Sequence, residues 1–159
     1  QMLTIRIVCI GKLKESYLRE AQAEYAKRLG AFCKLEILEL SEYRLPDKPS
    51  DAQIQKGLLE EGNQILSKLS GVCVPLCIEG KTISSPALAE KISSFANGGE
   101  STITFVIGGS FGLSEEVKQR SAFKLSMSPM TFPHQLARIM LLEQVYRAFQ
   151  IQNGGKYHK

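Results

Sequence analysis

The chain has 159 residues and a formal net charge of +4, with 43% hydrophobic and 23% charged residues. This length and composition predict a single globular domain over residues 1–159 and exclude a disordered chain. No apolar run approaches the ~18 residues of a membrane span, and Arg6 within the first apolar run argues against a signal peptide. Because Gln1 cannot initiate translation, we expect at least one preceding residue.

The charge is unevenly distributed along the chain. Residues 1–119 carry 14 Lys and Arg against 15 Asp and Glu, whereas residues 120–159 carry six basic residues and a single acidic residue, Glu143. This C-terminal basic excess favours an anionic partner such as nucleic acid, although a basic tail can also simply solvate a surface.

The four cysteines indicate a reducing cellular compartment rather than a metal site. Their spacing lacks the usual ligand pairs of a zinc site, so we predict no metal. We interpret them as reduced core residues and expect a cytoplasmic protein. They are Cys9, Cys33, Cys73 and Cys77.

Hydrophobic periodicity predicts strands alternating with helices from the first residues onward. Strands are predicted at 3–10, 35–40, 72–78, 102–107 and 123–127. Helices are predicted at 15–29, 51 to about 69, 85–97, 114–121 and 133–152. Pro75 cannot donate to a strand ladder, so it predicts an edge position or a bulge. The alternation predicts an α/β fold, a mainly parallel sheet flanked by helices.

The last helix is apolar around most of its circumference, with Glu143, Arg147 and Gln150 as its main polar stripe. Such a helix must be buried on two faces, which in a small domain predicts a two-fold homodimer. Arg138 lies apart from the polar stripe. It is either a snorkelling surface residue or a phosphate contact.

A glycine turn, Gly108 to Gly112, follows the most β-prone strand. It lacks the dinucleotide fingerprint and the acidic residue of a Rossmann dehydrogenase, and it lacks a P-loop lysine. By itself, the turn is either a tight connection or a ligand cradle. Together with the strand ends at 76–80 and 127–132, it would enclose an apolar, amide-lined pocket suited to an adenine-bearing ligand.

The sequence allows two interpretations of each histidine. His134 begins the last helix and is either structural or part of the pocket. The tail that carries Tyr157 and His158 is either disordered or folded over that pocket.

Several motifs occur together in order: Phe-Val-Ile-Gly-Gly-Ser-x-Gly-Leu, Met-Thr-Phe-Pro-His, Glu-Gln-Val-Tyr-Arg-Ala and a terminal Tyr-His-Lys. With them, the chain resembles over nearly its whole length the small SPOUT methyltransferases that modify pseudouridine in large-subunit ribosomal RNA. The resemblance implies a C-terminal trefoil knot in the α/β fold. It also implies a homodimer whose site is completed by the partner's tail.

S-adenosyl-L-methionine is the methyl donor that this resemblance implies. The implied cofactor contacts are Leu76, Gly108, Met127, Ser128, Pro129, Met130, Thr131 and Phe132. Pro75 departs from a regular strand next to Leu76, and we expect it to alter the local ladder at this contact.

The implied substrate is a pseudouridine of 23S rRNA, methylated at N3, and we expect it in the assembled ribosome. The implied catalytic residues are Tyr157 and His158. Tyr157 would stack on or hydrogen-bond the target base, and His158, with an ordinary pKa of about 6.5, could accept its proton. Candidate rRNA backbone contacts are Lys12, Arg138, Arg147, Lys156 and Lys159.

Two alternatives remain at the sequence level. One is a SPOUT enzyme that acts on transfer RNA with the same fold and cofactor. The other is a noncatalytic RNA- or nucleotide-binding module, for which loss of the terminal Tyr-His-Lys would be harmless.

Overall fold

Four parallel strands form the central sheet of the computed structural model, which describes residues 2–159. The expectation about Gln1 lies outside the described residues. In chain order the elements are β1 (Thr4–Ile10), α1 (Ser16–Leu29), β2 (Lys34–Leu40), α2 (Asp51–Leu66), β3 (Val72–Lys81), α3 (Ser85–Asn97), β4 (Thr102–Ile107), α4 (Glu115–Gln119) and α5 (His134–Gln152). The strand order is β2-β1-β4-β3, so the prediction of a parallel α/β fold is confirmed.

The sheet is covered on both faces, and alternation along β1 assigns its side chains to the two cores. Ile5 and Ile7 pack into a cluster that includes the buried faces of α3 and α5. Val8 and Ile10 point to the opposite side and pack with residues of α2 and α4. Because both faces of the sheet are buried, the inner strands β1 and β4 are almost continuously apolar.

Pro75 lies on β3, which is an edge strand, and its predicted edge position is confirmed. The predicted fifth strand at 123–127 is wrong. That segment makes only isolated bridges, in which Leu125 pairs with Leu76 and with Lys81. The segment lies along the C-terminal end of β3 without forming a continuous ladder, and the approach is close: a Cβ on Gly80 would lie 2.8 Å from the Lys124 carbonyl oxygen.

Helix α5 buries only one stripe against its own domain. Leu141, Leu142, Val145 and Phe149 are buried and fall within one third of the helical circumference. Leu136, on the opposite side, keeps 40% of its surface exposed. The second buried face that the sequence predicts is therefore not provided by this chain. Within residues 2–159, no helix is both long and apolar enough to cross a membrane.

Candidate functional site

A crevice opens at the carboxyl ends of β3 and β4, where the two strands separate. Their ladder runs from Val72, paired with Ile103, to Pro75, paired with Val106. Past Pro75, the next residue of β3, Leu76, bridges to Leu125. The expected disturbance at Pro75 is thus confirmed, and it makes room beside Leu76 rather than removing it from the site. Ligands of open α/β sheets bind at this edge.

A pocket of about 160 Å³ fills this crevice, and a larger open cavity adjoins it. Every predicted cofactor contact lines the pocket except Pro129. Those that do are Leu76, Gly108, Met127, Ser128, Met130, Thr131 and Phe132. The pocket also contains Ala137, which sequence reasoning missed. Its position three residues after His134, on the same helix face, could have revealed it.

Gly108 is required where β4 enters the turn, because the backbone comes very close to itself there. A Cβ at Gly108 would meet the Gly112 carbonyl oxygen. Gly112 has a φ of +83°, a conformation that favours glycine. Its amide donates to the Gly109 carbonyl at 3.1 Å, which closes the turn. The turn therefore presents main chain rather than side chain to the pocket.

The opposite wall is the loop of residues 125–132, which is held by its own serines. The Ser126 hydroxyl donates to the Ser128 carbonyl at 3.1 Å. The Ser128 hydroxyl accepts from the amide of Met130 at 3.0 Å. Ser126 is buried, so the loop has a fixed side toward the domain and a free side toward the pocket.

The pocket lining is almost uncharged. Among its described residues there is no Asp, Glu, Lys or Arg. His134 lines the pocket and also lies against the loop after β1, since a Cβ on Gly11 would sit 3.9 Å from its Nε2. These surroundings suit a neutral aromatic base such as adenine and offer nothing to neutralise a triphosphate.

Arg138 is buried inside the domain, which contradicts its predicted role as a contact to RNA backbone. Its side chain is 1% exposed. The guanidinium donates to Glu39 at 2.6 Å and to Gln22 and the Gly11 carbonyl at 3.1 Å. Buried cations persist when they are paired in this way. Arg138 therefore ties α5 to α1, to β2 and to the loop that carries Lys12.

The C-terminal tail packs against α5, at a distance from the pocket. The Tyr157 hydroxyl donates to Glu143 at 2.5 Å, and its ring packs edge-on against Tyr146. His158 Nδ1 lies 3.2 Å from Arg147, which in turn donates to Glu143 at 2.8 Å. Glu143 is nine residues beyond His134, or about 13 Å along a helix that rises ~1.5 Å per residue. Neither Tyr157 nor His158 lines the pocket of its own chain.

The docked tail keeps Tyr157 protonated. Its hydrogen bond to Glu143, reinforced by burial and by the charge of that carboxylate, raises the pKa of Tyr157 to about 12. A phenol in this position donates a hydrogen bond at neutral pH and does not act as a base.

The remaining predicted RNA contacts differ in their freedom. Lys12, Lys156 and Lys159 are exposed. Arg147 is half-buried and is engaged by Glu143 and His158. Lys12 sits at the pocket side of the domain, since the amide of Lys14 is bonded to Gln135 at the start of α5.

All four cysteines are free and buried, which agrees with their interpretation as core residues. Burial raises the pKa of Cys9, Cys73 and Cys77 to about 11 and that of Cys33 to about 12, so the thiols are poor nucleophiles. Residues 2–159 contain no group of three or more side chains arranged to hold a metal ion.

The parallel sheet has a neutral pocket between two strand ends, walled by the glycine turn and the 125–132 loop. This arrangement suits a nucleoside cofactor. A family model described as "Predicted SPOUT methyltransferase" matches residues 3–158. The chain belongs to this SPOUT methyltransferase family, and the resemblance seen in its motifs is confirmed.

The relatives share the full length of the chain. It is 47% identical to a ribosomal RNA large subunit methyltransferase H of Streptococcus pneumoniae (strain CGSP14), over 99% of this chain and 100% of the relative. It is 45% identical to the protein of the same name from Leuconostoc mesenteroides, with the same coverage. A solved probable methylase family protein of Haemophilus influenzae Rd KW20 has the same fold. Its TM-score is 0.54 at 17% identity, over 98% of this chain and 70% of that one.

Proposed function

We propose that the protein transfers a methyl group from S-adenosylmethionine to N3 of a pseudouridine in 23S rRNA, within the assembled ribosome. The observation that carries the proposal is end-to-end similarity, at 45% and 47% identity, to proteins named ribosomal RNA large subunit methyltransferase H. A pocket of matching chemistry supports it at the residues that the motifs single out.

The cofactor fits the pocket by its chemistry. Leu76, Met127 and Phe132 offer apolar contact to an adenine ring, and the main chain of the glycine turn and of the 125–132 loop can bond its edge. The adjoining cavity provides room for the rest of the molecule. Bound S-adenosylmethionine supplies an electrophilic methyl group on a sulfonium sulfur. The role of the pocket residues is to hold that methyl in line with the attacking nitrogen and to exclude water.

The N3 proton of pseudouridine must leave as the N–C bond forms. In our proposal, His158 accepts it, since histidine is the side chain that most often serves as a general base. Tyr157, whose phenol is protonated at neutral pH, stacks on the target base or donates a hydrogen bond to it. Lys12, Lys156 and Lys159 contact rRNA phosphates, and Arg147 joins them when the tail leaves Glu143.

A homodimer brings the tail of one subunit to the pocket of the other. Two features support this arrangement. Helix α5 leaves Leu136 exposed on its outer face, as expected for a helix that a second subunit covers. Tyr157 and His158 stand away from the pocket of their own chain, so another chain is needed to provide them. We also propose that the 125–132 region forms the trefoil knot of the family.

Mixed dimers test the proposal sharply. Gly108→Val disrupts the glycine turn that walls the pocket of one subunit and leaves its tail intact, whereas deletion of residues 157–159 removes the tail and leaves the pocket intact. Each homodimer should be inactive in methyl transfer to ribosomes. Mixing and refolding the two should restore activity, because one pocket then meets one tail. Full activity of the truncated homodimer would contradict the tail role and favour a tail-independent mechanism.

A further inference from the structure

A second cavity, of about 150 Å³, lies on the far side of the glycine turn from the cofactor pocket. Its described lining consists of Glu42, Tyr43, Leu45, Ile54, Gly57, Leu58, Glu61, Ser110 and Phe111, and we call it the Glu61 cavity. Ser110 and Phe111 also border the open cavity that adjoins the cofactor pocket. The two sites therefore share the tip of one turn.

Glu61 presents an unused acceptor to this cavity. Glu61 is only 8% exposed. One carboxylate oxygen, Oε2, accepts the amide of Tyr43 at 2.9 Å. The other, Oε1, receives no hydrogen bond from residues 2–159, and a Cβ on Gly109 would lie 3.6 Å from it. Oε1 borders the cavity and is not fully shut off from solvent, so it can accept a hydrogen bond from an incoming donor.

The rest of the cavity selects a flat, uncharged ligand. Phe111 is 50% exposed at the rim, and Tyr43, Leu45 and Leu58 provide aromatic and aliphatic walls. None of the described lining residues is a Lys or Arg, while Glu42 adds a second negative charge. A phosphate would be repelled here. The volume is below the ~300 Å³ of a site for a drug-sized ligand and suits one ring system.

We propose that the Glu61 cavity binds an unpaired guanine base of the RNA substrate, near the nucleotide that is methylated. Single-stranded bases stack on aromatic rings and are read through hydrogen bonds at their edges. Guanine offers two neighbouring donors, its N1–H and its 2-amino group. The free Oε1 of Glu61 can accept from one of them, and the carboxylate of Glu42 on the same cavity can accept from the other. Adenine presents an acceptor at N1 and suits the site less. The proposal rests on the proposed RNA methyl transfer.

A fluorescent reporter can test the cavity without any methyl transfer. The chain has no tryptophan, so Phe111→Trp creates a single reporter at the rim. Guanosine should quench it saturably, and adenosine should bind roughly tenfold more weakly. Adding Glu61→Gln should abolish the preference, because the amide keeps the Tyr43 bond and turns a donor toward guanine. Glu60→Gln, on the exposed side of the same helix, is the matched control and should retain the preference.

Absence of saturable quenching, or equal quenching by both nucleosides, would overturn the proposal. So would preferential quenching by a simple amine such as methylammonium, which would make this an ammonium site. In the otherwise unmodified protein, Glu61→Gln should raise KM for ribosomes roughly tenfold and leave S-adenosylmethionine affinity unchanged. An unchanged KM would also refute the cavity. Selective guanosine binding without methyl transfer to any RNA would instead refute only the proposed function.

Discussion

Replacing Arg138 with Met tests whether this buried cation joins α5 to the rest of the domain. The guanidinium bonds to Glu39 on β2, to Gln22 on α1 and to the carbonyl of Gly11. Methionine occupies similar volume without charge. The substitution therefore removes the bonds and leaves Glu39 and the Gly11 carbonyl without their partner.

The expected loss of stability follows from the burial of Arg138 and Glu39. Breaking a fully buried ion pair from one side destabilises a protein by ~3–5 kcal/mol. Glu39 keeps 32% of its side chain exposed and can be rehydrated, so we expect the lower end, about 3 kcal/mol. Once Arg138 is gone, Glu39→Gln should have little further effect. The pair should therefore show a coupling energy of about 1–2 kcal/mol.

Urea unfolding of the wild type, Arg138→Met, Glu39→Gln and the double variant measures both quantities. The midpoint should shift with an unchanged m-value, since the exposed surface of the unfolded chain is the same. A loss below about 0.5 kcal/mol, typical of a surface substitution, would refute the structural role. Strict additivity of the two substitutions would refute the coupling.

Three further changes probe the turn, the Glu61 cavity and the tail. Gly108→Ala should lower S-adenosylmethionine affinity at least tenfold by calorimetry, roughly the effect of 1.4 kcal/mol, because the new Cβ meets the Gly112 carbonyl and the turn must move. Burial raises the pKa of Glu61, so its ionisation weakens the fold as pH rises from the ordinary Glu pKa through the raised one; Glu61→Gln should thus gain stability over wild type as pH rises above about 4.3 in urea unfolding. Tyr157→Phe removes the bond to Glu143 and should speed tryptic cleavage after Lys156; in the wild type, tail protection should be present below the ordinary tyrosine pKa and be lost as pH rises through about 12.

Each change has a matched control. Gly30→Ala lies at an ordinary helical φ of −58° and should leave cofactor affinity intact. Glu60→Gln should show no pH-dependent gain, and Tyr17→Phe, at an exposed ring, should not alter tail cleavage. Equal effects in variant and control would contradict the assigned contact.

The elements that follow from local chemistry are predictable from sequence. The β4 strand and α3 begin and end where predicted, because a β-prone run and a Ser-Pro helix start are local signals. The prediction of a strand at 123–127 is wrong because Leu125 is buried through isolated bridges to the end of β3, and apolar patterning alone does not distinguish such bridges from a ladder. Tertiary contact decided the outcome there.

The candidate site also contains some features that the sequence predicts and others that it does not. The Gly108 turn is visible in the sequence, since consecutive glycines after a strand imply close main-chain approach. The role of Arg138 is not, because its partners Gln22 and Glu39 are about 100 residues away in the chain. Glu61 gives no sequence signal either, since only the fold brings it beneath the glycine turn.

Transfer of labelled methyl from S-adenosylmethionine tests the central claim most directly. The acceptors are intact ribosomes, naked ribosomal RNA and transfer RNA, all from cells that lack this protein. The account predicts label in 23S rRNA, strongest with intact ribosomes, and located at N3 of a pseudouridine after digestion and mass analysis. Label only in transfer RNA would contradict the proposed rRNA substrate. No label despite cofactor binding would contradict methyltransferase activity.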